Sequence, residues 1–113
     1  MAEAAEANAY APYSGYHVGA TVLAKDGRLY DGVNVENAAY PLGICAEKTA
    51  IAKAASDGVR PGDVEAIGIT ASPCGGCRQW LHEFRVDRVS YRGADGDIHE
   101  TTPAELLPDT WEF

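Results

Sequence analysis

The three cysteines of the chain lie in two short segments, and together they could hold a metal ion. Cys45 stands in "CAEKTAI", and Cys74 and Cys77 stand in "SPCGGCRQW". Cys74 and Cys77 open a predicted helix, so both thiols can face the same point. Three thiolates around Zn²⁺ leave one tetrahedral position open, which is the arrangement of catalytic rather than structural zinc. The spacing therefore predicts a zinc ion held by these three residues.

The same cysteines could serve other purposes. A lone Cys-x-x-Cys pair also occurs as a thiol redox pair, or by chance among core residues. Disulfides are disfavoured in a reducing cytosol, and three thiols cannot all pair. A structural zinc site would normally need a fourth protein ligand, yet His17, His82 and His99 lack ligand spacing to another cysteine or histidine. Three cysteines with a carboxylate nearby favour the catalytic site.

Glu47 follows Cys45 by two positions and is the candidate proton carrier. Residues two apart inside a helix point in different directions. In the first turn, however, side chains can project past the helix end, so both residues could reach the metal. A metal ion makes hydroxide available near neutral pH, and a neighbouring carboxylate can take the released proton and pass it on. The alternative is that Glu47 is an ordinary acid at a helix N-terminus, where acids are favoured.

Three thiolates would place more negative charge on one Zn²⁺ than it balances. Two helix N-termini directed at the site would offset part of that charge through their N–H groups. Lys48 or Arg78 could add a positive charge close to the sulfurs. Both could instead be solvated surface residues.

The rest of the sequence predicts the elements that position these residues. Apolar periodicity and turn residues indicate a short helix (3–9), a hairpin turning at Asp26-Gly27 (17–35) and a helix (42–56). They then indicate a buried strand (64–71), a second long helix (74–84), two strands around the turn at 93–96 (86–93 and 97–102) and a last helical turn beginning at Pro103. Ile44, Ile51, Ala54 and Ala55 can share a face of the first long helix, and Trp80, Leu81 and Phe84 have core spacing in the second. This order suits a three-layer α/β/α sandwich around one mixed β-sheet, in a single domain spanning 1–113.

Composition limits the partners and the location. The formal net charge of −8 and the absence of a basic stripe argue against nucleic acid as a partner. The acidity is explained by solubility, with salt adaptation as the alternative. No apolar run is long enough for a bilayer, which argues against a membrane partner, and the first residues lack the pattern of a secretion signal. We therefore expect a cytoplasmic protein.

The motifs also carry a resemblance to a known family. Cys-Ala-Glu followed by Pro-Cys-x-x-Cys is the signature of zinc-dependent deaminases. With "YAPYSGYHVGA", "NVENAAY", "SPCGGCRQ" and "AELLP" in order, the chain resembles the small homotetrameric cytidine deaminases from about Tyr10 to Trp111. The resemblance implies hydrolysis of cytidine and deoxycytidine to uridine and deoxyuridine with release of ammonia. It also implies one zinc ion per subunit and a homotetramer with shared active sites.

The resemblance assigns roles to individual residues. A zinc-activated water would attack C4 of the base, and Glu47 would carry its proton to N3 and later to the departing amino group. The backbone N–H of Ala46 would hold the O2 atom of the base, while Asn34 and Glu36 would hydrogen-bond the sugar 3′-hydroxyl. Tyr16 takes the place of a phenylalanine that packs against the nucleoside, and Tyr40 aligns with a tyrosine that reaches a neighbouring subunit's site. Without the resemblance, Asn34 and Glu36 would be interpreted as ordinary polar residues at a strand end. The two tyrosines would be interpreted as core packing.

The sequence departs from the family in three places. Lys48 stands where the family usually has an arginine that hydrogen-bonds the zinc thiolates, so the charge is kept and the planar fork is lost. The segment before Ser72 is shorter than in most relatives, which predicts a more open mouth to the site. Trp111 stands where a phenylalanine closes the pocket.

Two other functions fit part of the pattern. One is deamination of a modified aminopyrimidine, such as an N4-substituted cytidine or a blasticidin-type antibiotic. Glu36 argues against the antibiotic because a sugar-contacting acid would have no hydroxyl to bind. The other is a non-catalytic zinc-stabilised module, in which a histidine completes the metal shell and Glu47 has no chemical role.

Overall fold

A five-stranded mixed sheet forms the centre of the computed structural model, which describes residues 1–111. Its strands are β1 (Gly19–Ala24), β2 (Leu29–Val33), β3 (Val64–Ile69), β4 (Arg88–Arg92) and β5 (Ile98–Thr101). The order across the sheet is β2-β1-β3-β4-β5, with β3 and β4 parallel and the other neighbours antiparallel. The α-helices are α1 (Ala2–Ala5), α2 (Ala46–Ser56), α3 (Gly75–Glu83) and α4 (Pro103–Leu106). The predicted mixed sheet is confirmed.

Helices cover both faces of the sheet. Ala20 pairs with Gly32, and a side-chain carbon at Gly32 would lie 2.3 Å from the backbone nitrogen of Ala50 in α2. The neighbouring residue Gly19 points to the opposite face, where an added carbon would lie 2.0 Å from the carbonyl oxygen of Ala2 in α1. The sheet therefore lies between α2 and α1, which confirms the three-layer arrangement.

The core fills the space between the sheet and α2. Its largest fully buried side chains include Val22 of β1, Ile51 of α2, Ile67 of β3, Leu81 of α3 and Val89 of β4. From Ala20 onward, buried residues alternate along β1, as one buried face requires. In β3 the spacing from Val64 to Ile67 is three, because the register with β1 shifts there. Burying a side chain of this size stabilises the fold by about 1.5–3 kcal/mol each.

The predicted hairpin and the second long helix are present, but two expectations about packing are wrong. Ile44 does not belong to α2; it pairs with Val35 in an isolated β-bridge and is 43% exposed. The helix therefore begins at Ala46, later than predicted. Trp80 is 37% exposed although its spacing suggested the core, whereas Leu81 is buried and Phe84 packs against the core.

Between residues 1 and 111, no helix is long and apolar enough to cross a membrane.

Candidate metal centre

Two helix starts bring the cysteines together. Cys45 is the N-cap residue of α2, and its carbonyl oxygen accepts a hydrogen bond from Thr49 N at 3.1 Å. Cys74 is the N-cap residue of α3, and its carbonyl oxygen accepts from Arg78 N at 3.0 Å. Cys77 lies in the first turn of α3 and is fully buried. An N-cap residue has extended backbone and points its side chain past the helix end, so both caps direct a thiol toward the same space.

The sulfur atoms have the spacing of a zinc site. Sγ of Cys45 and Sγ of Cys74 are 3.8 Å apart, and the three sulfurs, including that of Cys77, lie within 4.8 Å of one another. Tetrahedral geometry with Zn–S bonds of about 2.3 Å separates sulfurs by about 3.8 Å. Within residues 1–111, this cluster contains no histidine. The donor set therefore suits one zinc ion with three sulfur ligands.

The thiols differ in their acidity. The pKa of Cys45 is lowered to about 6, mainly because Cys77 donates a hydrogen bond to its sulfur, with further help from Cys74 and the charge of Lys48. The pKa of Cys77 is raised because its thiol shares a proton with Cys45 and because it is buried. The lowered pKa favours the thiolate form of Cys45, which is the form that binds metals.

Glu47 is a buried carboxylate beside this cluster. It is the second residue of α2, and 3% of it is exposed. Burial raises the pKa of Glu47, and the nearby charge of Cys45 adds to that effect. A carboxyl group with a raised pKa can hold and release a proton nearer to neutral pH than an exposed one can. The predicted position of Glu47 next to the cysteines is what the structure shows.

A cavity of about 570 Å³ opens in front of the cluster. This volume is within the range of small-molecule sites. Most of the residues singled out in the sequence line it: Cys45, Ala46, Glu47 and Cys74 from the helix starts, and Tyr16, Asn34, Glu36 and Tyr40 from the surrounding loops. The structure therefore gathers one site from four separate stretches of sequence.

Asn34 fixes the loop that carries Tyr16. Its amide nitrogen donates to the carbonyl oxygen of Tyr16 at 2.8 Å, and its amide oxygen accepts from Val18 N at 2.9 Å. The side chain lines the cavity at the same time. Asn34 therefore positions the loop as well as facing the cavity.

Glu36 holds the adjacent turn. Its Oε1 atom accepts from the backbone nitrogens of Tyr13 at 3.0 Å and Ser14 at 3.1 Å, and its Oε2 atom accepts from the hydroxyl of Ser14. The hydrogen bond from the Ser14 hydroxyl lowers the pKa of Glu36. Tyr13 and Ser14 also line the cavity, and the sequence analysis missed both. The turn residues Ser14-Gly15 were the sequence feature that could have indicated a loop at this position.

The two cations considered near the sulfurs have different surroundings. Nζ of Lys48 would lie 3.4 Å from a side-chain carbon at Gly76, in the first turn of α3, and its charge helps to lower the pKa of Cys45. Arg78 instead donates to the carbonyl oxygens of Pro73 and Leu106, each at 2.9 Å. Of the two candidates, Lys48 is therefore the charge beside the cysteines, and Arg78 is a structural link.

The three aromatic residues that the sequence assigned to the site are exposed. Tyr16 is 63% and Tyr40 is 91% exposed, and both line the cavity. Trp111 is 68% exposed and is not among the residues that line the cavity. Its expected role in closing the pocket stays a prediction, as does the comparatively open mouth. The connection from Ile69 to the N-cap Cys74 consists of Thr70 to Pro73.

Comparison with known proteins identifies the family. Residues 1–92 match the cytidine and deoxycytidylate deaminase zinc-binding region. The chain belongs to this family. It is 48% identical to the cytidine deaminase of Sporosarcina psychrophila over 112 residues, covering 92% of this chain and 81% of the relative. A cytidine deaminase of Halalkalibacterium halodurans is also 48% identical, with coverage of 92% and 83%.

The fold of this deaminase-family chain matches solved structures as well. The crystal structure of cytidine deaminase from Burkholderia pseudomallei superimposes with a TM-score of 0.91 at 41% identity, covering 97% of this chain and 93% of that one. The agreement extends over nearly the whole chain, so the family assignment does not depend on the cysteine motifs alone.

Proposed function

We propose that this protein hydrolyses cytidine and deoxycytidine to uridine and deoxyuridine and releases ammonia. The observation that carries the proposal is the buried carboxylate of Glu47 beside three thiols that could hold a metal ion, at a cavity of about 570 Å³. The named relatives of this family, which are cytidine deaminases, support the same activity.

Cys45, Cys74 and Cys77 would hold the zinc ion. When bound, the ion supplies Lewis-acid chemistry that makes a water molecule nucleophilic near neutral pH. Cys45 and Cys74 line the cavity whereas Cys77 does not, so the open side of the sulfur cluster faces the substrate space. A fourth protein ligand is not needed for this arrangement, and the histidine-free cluster disfavours a purely structural zinc module.

Glu47 would move the protons of the reaction. Deamination requires a proton at N3 of the base and another on the departing amino group. Burial raises the pKa of Glu47, so the group can accept a proton from water and return it to substrate in the same site. The burial of Glu47 also strengthens its hydrogen bonds to the reacting atoms.

The cavity offers groups for each part of a nucleoside. Ala46 is the first residue of α2, and the N–H groups of a first helical turn have no partner within the helix, so its N–H can bind the O2 atom of the base. Asn34 and Glu36 would bind the sugar 3′-hydroxyl, and Tyr16 would pack against the nucleoside. All four residues line the cavity.

The protein would act as a homotetramer with shared active sites. Tyr40, which lines the cavity, and Leu42 are 91% and 69% exposed on a short 3₁₀ turn. Large apolar side chains this exposed favour burial against another chain. Light scattering during gel filtration tests this assembly, and a monomeric mass at micromolar concentration would contradict it.

A cytoplasmic location fits the three free thiols. A site that needs reduced cysteines is maintained by the reducing conditions of the cytoplasm.

The activity is tested by an ultraviolet assay of the zinc-loaded protein on cytidine, deoxycytidine, cytosine, an N4-substituted cytidine, adenosine and blasticidin S. We expect turnover of cytidine and deoxycytidine, and loss of it after zinc is removed with a chelator. Turnover of the N4-substituted nucleoside or blasticidin S in preference to cytidine would overturn the proposed substrate. Retention of full activity by the zinc-free protein would overturn the mechanism.

A further inference from the structure

The turn at 13–16 is attached to Glu36, at the cavity, through two backbone nitrogens and one serine hydroxyl. Ser14 Oγ accepts a hydrogen bond from Tyr16 N at 3.0 Å, and the same hydroxyl donates to Oε2 of Glu36. A hydroxyl has one hydrogen to donate. Because its acceptor side faces Tyr16 N, the geometry directs that hydrogen to the Glu36 carboxylate.

A count of acceptor positions shows what is left on Glu36. An ionised carboxylate offers about four lone-pair sites, two on each oxygen. Tyr13 N and Ser14 N use those on Oε1, and the Ser14 hydroxyl uses one on Oε2. One acceptor site remains, on the oxygen that Ser14 holds. Since Glu36 lines the cavity, that site can accept one hydroxyl group from a ligand.

We propose that Ser14 is a positioning residue for substrate recognition, because its hydroxyl fixes the Glu36 carboxylate so that its last acceptor site meets the sugar 3′-hydroxyl. The inference rests on the proposed deaminase function and adds a residue to it. Ser14 acts through Glu36 and does not itself touch the reacting atoms. Without the hydroxyl, Oε2 of Glu36 loses the donor that Ser14 supplies, so this oxygen can bind water or shift while Oε1 stays on the two backbone nitrogens.

The test compares two substrates in the wild type and in three variants. Ser14→Ala should raise KM for cytidine about tenfold or more, the effect of one hydrogen bond to a charged group, with little change in kcat. KM for 3′-deoxycytidine should be the same in the wild type and in Ser14→Ala, because that nucleoside has no hydroxyl for Glu36 to accept. Ser14→Thr keeps the hydroxyl and should restore most of the affinity for cytidine. Ser90→Ala, a serine change in β4 outside the cavity, serves as the matched control.

Each other outcome decides against the inference. Equal loss with both nucleosides would show that Ser14 only stabilises the loop, and unchanged KM for cytidine would show that Glu36 does not need it. A binding-independent measurement is the titration of the Glu36 carboxyl carbon by NMR. Its pKa should rise in Ser14→Ala, although the charge of His17 also lowers it. If the wild type deaminates neither nucleoside, the proposed function fails, and the titration still shows whether Ser14 holds Glu36.

Discussion

Arg78 and Leu106 are joined by a hydrogen bond between the guanidinium Nη1 atom and the backbone carbonyl oxygen, at 2.9 Å. The same guanidinium donates through Nε to Pro73 O at 2.9 Å. Arg78 therefore links the loop that leads into Cys74 with the last helix, α4. A planar guanidinium can bind two carbonyl groups in fixed directions, whereas a lysine ammonium is a point charge on a flexible stem.

Replacing the guanidinium of Arg78 should loosen the attachment of the loop before Cys74 to α4. We expect Arg78→Lys to lower the free energy of unfolding by about 1–3 kcal/mol, because one half-buried carbonyl loses its partner. Release of zinc to a chromophoric chelator should also become faster. Arg88→Lys is the control, since Arg88 makes an exposed ion pair with Glu65. Equal melting temperatures and equal zinc release for the two variants would contradict the link.

Removing the charge of the buried carboxylate should separate metal binding from turnover. Glu47→Gln is expected to keep the fold and one zinc ion per chain, because the three sulfurs are unchanged. Its kcat should fall by at least about 100-fold, the usual contribution of a proton-transferring group. Glu83→Gln, at the exposed end of α3, is the control and should retain activity. Metal analysis and the ultraviolet assay give both quantities, and an active Glu47→Gln enzyme would rule out the proton-carrier role.

For turnover, the positive charge of Lys48 should matter more than the shape of the group that carries it. We expect Lys48→Arg to retain or modestly raise turnover, since the charge stays near the sulfurs. Lys48→Gln should lower turnover about tenfold, because the partial balance of thiolate charge is lost. Lys53→Gln, on the exposed side of the same helix, should have little effect. A hundredfold loss on Lys48→Arg would refute a supporting role for the charge.

The end of α2 is held by a tyrosine–aspartate hydrogen bond that should be visible in a pH profile of stability. Tyr30 Oη donates to Asp57 Oδ2 at 2.6 Å. This contact raises the pKa of Tyr30 and lowers that of Asp57. The lowered aspartate pKa stabilises the fold above its unfolded value of about 4, and the raised tyrosine pKa stabilises it below about 10. The contribution is thus lost as pH falls through the folded pKa of Asp57 or rises through that of Tyr30.

Tyr30→Phe should lower the melting temperature by about 3–6 °C between pH 5 and 9. The difference from the wild type should shrink below about pH 4 and above about pH 10, where the pair changes its protonation. Tyr91→Phe is the matched control, because Tyr91 stacks on His99 through its ring. A difference that does not vary with pH would show that the hydroxyl is not paired with Asp57 in solution.

Local sequence patterns were sufficient for most of the elements and for the cluster of three cysteines. Cysteines at helix starts and alternating apolar residues follow from spacing along the chain, so the two helix starts and the sheet could be predicted. The start of α2 was placed too early because Ile44 has the apolar character of a helix face, although it pairs with Val35. Such a bridge depends on residues distant in sequence.

Long-range contacts were the part that could not be predicted. Nothing near Arg78 indicates that it binds the carbonyl of Leu106, 28 positions away. Similarly, the attachment of Ser14 to Glu36 spans 22 positions. Polar side chains of this kind have many possible partners, and only the folded backbone selects one.

The missing side chain at Gly32 has a consequence for the metal centre. The backbone of α2 rests directly on β2 there, so main chain against main chain sets the height of the helix above the sheet. Cys45 and Glu47 stand on α2, while Cys74 and Cys77 stand on α3. A methyl group at position 32 would collide with the backbone of α2 and push this helix, but not α3, away from the sheet. This shift would move the sulfur of Cys45 away from those of Cys74 and Cys77, although no candidate zinc ligand would itself be changed.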